Sequence, residues 1–213
     1  GFENIGLYGG PGDGRSVRLV HRGISDQDGE LFIQSVRVGT ETRGEAWFRA
    51  QQAKLQALHA RAAGGDPAAV KEAETRGLKR IQLSTFDTLA RDTFLPDESL
   101  FMLIVDTEGN DPKVLKTAMK TLAKHDTAVV IFEYHHMWKT ASPMHSLRGT
   151  LDLLESIGYE CFFTGSQGLW RLTNCWNDMW DFQEWSNVMC LLSNLEGSQQ
   201  VISNLDVAPR FAQ

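Results

Sequence analysis

The chain has 213 residues, 42% of them hydrophobic, with 21 basic against 27 acidic residues for a formal charge of -6. This length and apolar content suit one globular domain with a substantial core, and the acidic balance argues against nucleic acid or an anionic membrane as the main partner. No apolar run approaches the roughly eighteen residues of a membrane span, and the first residues lack the basic and apolar regions of a signal peptide, so the chain reads as soluble, in a compartment the sequence does not name.

Residues 1–16 read as a linker and turn. Gly9-Gly10-Pro11-Gly12-Asp13-Gly14 is glycine-rich, but no apolar strand precedes it and Pro11 interrupts it, so it reads as a surface turn before a strand at Val17–Val20. The connection from Ile33 to Ile81 is long. Within it Glu45 to Ala63 carries Trp47, Phe48, Leu55, Leu58 and Ala62 on roughly one face, Gly64-Gly65 ends that pattern, and Asp66-Pro67 starts another running to about Arg76. The spacing predicts an inserted helical hairpin over residues 45–77. It is either a solvated excursion, which surface loops tolerate, or a docking arm anchored by Trp47 and Phe48.

The most informative stretch follows: Phe101-Met102-Leu103-Ile104-Val105 ends in Asp106, Glu108 and Asp111. Five consecutive apolar residues without alternation predict a strand buried on both faces, with its acids at the carboxyl end, where α/β sheets meet ligands. Asn110 or Asp111 is placed to cap the next helix, Pro112 suits its first turn, and Val114, Leu115, Ala118, Met119 and Leu122 recur at helical spacing. A second apolar run, Ala128–Phe132, ends in Glu133-Tyr134-His135-His136. Such a strand, helix, strand unit predicts parallel strands that bring Asp106, Glu108, Glu133 and His135 to one crevice.

Towards the end, Glu160–Phe163 and Asn187–Leu192 read as partnered strands. Between them Trp170, Trp176, Trp180 and Trp185 alternate with amides and carboxylates over residues 170–186. Indoles in that setting either hold a sugar or another polar acceptor, or fill a core or an interface. Cys161, Cys175 and Cys190 are odd in number and widely spaced, which supports neither a zinc site nor a disulfide framework and leaves free buried thiols as the expectation. No ligand spacing demands a metal.

Five pieces in order carry a family resemblance: Ile24-Ser25-Asp26-Gln27-Asp28-Gly29-Glu30-Leu31, Ser84-Thr85-Phe86-Asp87-Thr88-Leu89, Ile104-Val105-Asp106-Thr107-Glu108-Gly109-Asn110-Asp111, Phe132-Glu133-Tyr134-His135 and Leu154-Glu155-Ser156-Ile157-Gly158-Tyr159. Together they resemble the FkbM-type S-adenosylmethionine-dependent methyltransferases. The resemblance implies an α/β fold: a partial class I, Rossmann-like sheet with flanking helices. It implies methyl transfer from S-adenosylmethionine to a hydroxyl of a sugar or small metabolite. It places Gly23, Ile24 and Ser25 near the adenine, Asp106 and Glu108 at the cofactor's edge, and Glu133 and His135 as acceptor contacts or general base. The family's glycine-rich first turn and second strand have no counterpart here, so the sheet is expected to lack its first two strands. A segment before Gly1 or another chain would supply them, or the fold is remodelled and binds no cofactor. The family also usually carries lysine where this chain has Ile104, and glutamate where it has Asp111. A methyltransferase-like structural subunit of a larger assembly, docking protein partners through the hairpin and the tryptophan-rich segment, is the alternative.

Overall fold

A computed structural model describes residues 20–33, 45–95, 98–124, 127–166 and 168–205, with side chains for all of these except 31–33, 45–52 and 204–205. The glycine-rich turn at Gly9–Gly14 and most of the strand expected from Val17 lie outside the described residues, as do the side chains of Trp47 and Phe48. The chain divides into two units, Gly1–Gly23 with Asp28–Leu83, and Ile24–Gln27 with Ser84–Gln213.

Strands β1 (Gly23–Ile24), β2 (Gly29–Ile33) and β3 (Lys79–Ser84) form a three-stranded sheet in the order β1-β3-β2, with β2 antiparallel to β3 and Gly29 opposite Leu83. Helices α1 (Glu45–Ala63) and α2 (Pro67–Thr75) make the hairpin that the spacing predicts. Gly65 turns the chain at φ 85. Asp66 then caps α2, its carboxylate accepting from the N–H groups of Ala68 (2.9 Å) and Ala69 (3.3 Å), while Arg61 reaches back to it at 2.8 Å. Leu58, Ala69, Ala73 and Leu78 form the small core that holds the hairpin.

The second unit is built on a five-stranded sheet. Strands β4 (Met102–Val105), β5 (Val129–Tyr134), β6 (Tyr159–Gly165), β7 (Gly168–Arg171) and β8 (Ser186–Leu192) lie in the order β4-β5-β8-β6-β7. β4 and β5 run parallel, Met102 opposite Val129, and the other pairs are antiparallel. Around the sheet stand α3 (Phe86–Thr93), α4 (Asp111–Lys124), α5 (Trp138–Ala141), α6 (Leu147–Glu155) and α7 (Ser198–Leu205). Alternation decides which residues face inward: Leu103 and Val105 of β4 and Val130, Phe132 and Tyr134 of β5 meet Val114, Leu115, Ala118 and Leu122 of α4 and Leu147, Leu151 and Leu154 of α6. On the other face, Phe162, Leu169 and Leu191 pack on Ile202 of α7.

β4 corrects one expectation. It is buried on one face, leaving Met102 and Ile104 40% and 64% exposed, because among the described residues it is an edge strand and α7 packs over strands further along. The motif Ser84–Leu89 proves to be a clamp. Thr85 caps α3 by accepting from the Thr88 N–H (3.1 Å), the Phe86 N–H donates to Thr117 Oγ1 (3.2 Å), and Asp87 accepts from the Thr121 N–H (2.9 Å) and hydroxyl (2.6 Å), so α3 is fastened to α4 at two points.

The cysteines are a second correction. Cys161 and Cys190, expected as free thiols, stand opposite each other on β6 and β8 and form a disulfide, and Cys175 is free but exposed rather than buried. Spacing along the chain carries no information about strand register, and register is what brings the two sulfurs together.

Candidate functional site

The parallel register sets the site. Val105 pairs with Phe132, so Asp106 leaves β4 level with Glu133 at the same end of the sheet. After Asp106 the chain makes a tight turn closed by Asn110 N–H donating to the Thr107 carbonyl (3.2 Å), with Glu108 and Gly109 both left-handed at φ 51 and 92. Gly109 is required there on two counts, its left-handed backbone and the Met137 backbone carbonyl that would lie 2.9 Å from a Cβ. Its own carbonyl accepts from the Ser142 hydroxyl at 2.8 Å. Glu108 holds this conformation without glycine's freedom, a local strain of the kind found at ligand sites.

Asp111 organises the turn. Neither it nor Asn110 caps the helix through its side chain as expected. Asn110 donates its amide to the Thr107 carbonyl (3.1 Å) and accepts from Lys113 Nζ (3.1 Å). The Asp111 carboxylate points backwards, accepting from the Thr107 hydroxyl (3.2 Å), the Gly109 N–H (3.2 Å) and, across to β5, the Glu133 N–H (3.4 Å). It is fully buried, and desolvation pushes its pKa above the ordinary carboxyl value against those donors. Thus one carboxylate ties the end of β4 to the end of β5. Asp106 and Glu108, by contrast, are exposed and make no ion pair among the described residues.

At the end of β5, Glu133 is partly buried and its backbone carbonyl accepts from Trp138 Nε1 (3.0 Å). His135 is fully buried, with Nδ1 accepting from the Met137 N–H (3.4 Å) and Nε2 3.9 Å from Glu133 Oε2, too far for a hydrogen bond. That leaves Nε2 buried without a hydrogen-bond partner among the described residues. The indole of Trp185 covers it, stacked 4.2 Å away and parallel to within 1°, while remaining 56% exposed on its other side. A 3-10 turn at Asp178–Trp180 leads into this segment. The Tyr134 hydroxyl donates to Asp181 just beyond it, and Gln183 donates to the same carboxylate (3.3 Å).

The four expected residues therefore lie at or just beyond the same ends of β4 and β5, and Asp111 ties the turn after β4 to the Glu133 backbone. Ile24 packs against the main core. Ser25 donates its N–H to the Ser84 carbonyl (3.0 Å) and accepts from Thr117 Oγ1 of α4 (3.5 Å). Gly23 lies in the first unit, where a Cβ would strike Leu83 Cδ2 at 2.6 Å, so close strand packing accounts for the glycine. A cavity of about 740 Å³ lies elsewhere, between α3 and α4, lined among others by Thr88, Phe94, Lys120 and Lys124. It includes none of the strand-end acids. On its wall Asp87, Thr117 and Thr121 already serve the α3–α4 clamp. No group of three or more metal-ligating side chains occurs among the described residues, and none of their helices is long and apolar enough to cross a membrane.

Sequence reading missed Asp111 as the tie and Trp185 as the cover of His135. The cluster of tryptophans held the signal for the second, but which indole would remain exposed depends on packing: Trp170, Trp176 and Trp180 sit against the core. Asp106 and Glu108 thus present two exposed carboxylates at the end of β4, with no ion pair among the described residues. No curated protein and no solved structure matches the chain. A family model for the methyltransferase FkbM domain matches residues 16–161, over the stretch that contains the strand-helix-strand unit and its acidic edge, and the chain belongs to that family.

Proposed function

We propose that the strand-end site transfers a methyl group from S-adenosylmethionine to a hydroxyl of a sugar or small metabolite. The observation that supports this reading most is the Asp111 bridge, which holds exposed Asp106 and Glu108 at the same sheet edge as Glu133. S-adenosylmethionine, when bound, supplies an electrophilic methyl group. Asp106 and Glu108 would hold its polar edge, with Ile24 and Ser25 towards the adenine. On the acceptor side Glu133 is the group placed to take the hydroxyl proton, because its carboxylate is partly exposed. His135 lies fully buried beneath Trp185 with Nδ1 already engaged, so it is the less accessible of the two strand-end groups. The exposed face of Trp185 offers a flat apolar wall to a sugar ring.

Titration calorimetry of the full-length protein with S-adenosylmethionine tests the cofactor half: micromolar binding that disappears in Asp106→Ala supports it, and no binding rejects it. Glu133→Gln is expected to retain that binding while slowing transfer at least 100-fold. Ile104, standing where the family usually carries lysine and 64% exposed on β4, favours the second reading, a non-catalytic methyltransferase-like subunit. That reading fails if the native protein runs as a free monomer.

A further inference from the structure

We propose that the Cys161–Cys190 bond is a permanent crosslink gained in an oxidising compartment, and that it fastens the tryptophan-bearing segment over the end of β5. The two residues are direct partners in the β6–β8 register. Cys161 turns its N–H to Thr173 Oγ1 (3.0 Å) and its carbonyl to the Leu172 N–H (2.9 Å), so neither backbone group faces β8. The pair therefore occupies a non-hydrogen-bonded position, where antiparallel strands bring side chains closest, and its Cα atoms stand 4.0 Å apart. Both residues are wholly buried in the main core, out of reach of a reductant while the fold is closed. Forming the bond takes two protons and two electrons from the thiols. A disulfide-donating oxidant accepts them and leaves as a dithiol, as happens outside the cytosol, whereas cytosolic thiol pools keep such pairs reduced.

The ring so closed, with its ends 29 residues apart, carries β7, the 3-10 turn and Trp185. Within it Trp180 and Phe182 pack on Phe163 at 6.3 and 5.2 Å, Asp181 accepts the Tyr134 hydroxyl, and Trp185 lies on His135. Both roots of the ring are thereby fixed on neighbouring strands, and the segment between them has little freedom to leave β5.

Exposed Cys175 serves as the internal control among the three cysteines. Protein isolated from its native cell into iodoacetamide is denatured without reductant, digested and weighed. A crosslinked Cys161–Cys190 peptide with alkylated Cys175 is expected, and three alkylated cysteines overturn the compartment assignment. Hydrogen exchange then tests the fastening. In a Cys161→Ala/Cys190→Ala double variant, or in reduced wild type should that variant not fold, residues 176–186 are expected to exchange at least ten times faster while β4 and β5 are unchanged. Unchanged exchange over 176–186 overturns it.

Discussion

Two residues hold the β4–α4 turn in shape, and each makes a separate prediction. Gly109→Ala forces a Cβ to 2.9 Å from the Met137 carbonyl in a backbone conformation that disfavours side chains, and is expected to cost about 2 kcal/mol or more in urea unfolding. Asp111 predicts a pH slope. Its carboxyl titrates above the ordinary 3.8, so the native state keeps that proton to higher pH than the unfolded chain. Its contribution to stability therefore falls as pH climbs from about 4 through the raised value. Asp111→Asn, which cannot ionise, lacks that fall. Unfolding free energies of the two proteins between pH 4 and 7 are expected to differ in slope, whatever the offset caused by replacing one acceptor oxygen with a donor.

At the level of elements, the α3–α4 clamp rests mainly on Asp87. Replacing it with alanine strips the buried Thr121 of its acceptor and is expected to cost about 1–3 kcal/mol, with faster amide exchange along α3. That motif was visible in the sequence, but its role was not, because Thr117 and Thr121 are separated from it by some thirty residues. The helix ends at the α1–α2 turn and the direction of the parallel pair were readable: Asp66-Pro67 and Gly64-Gly65 mark helix ends by local chemistry, and a strand-helix-strand pattern leaves little choice of direction. One-sided burial of β4 was not, since an apolar run is compatible with an exposed edge when no neighbour covers it. The stacking of Trp185 on His135 was likewise out of reach, because it joins two segments through packing alone.

For the whole molecule, the disulfide changes how the chain would bear a load. Tension applied at its two termini reaches Cys161 and passes straight to Cys190, so the residues between them stay slack while the rest of the second unit extends. In a single-molecule stretching experiment the oxidised protein is expected to fall short of the reduced one in final contour length by roughly 100 Å, the reach of a 29-residue stretch of chain. Trp185, which roofs the end of β5, lies inside that sheltered loop. Pulling would unravel the floor of the site before it put any strain on the roof.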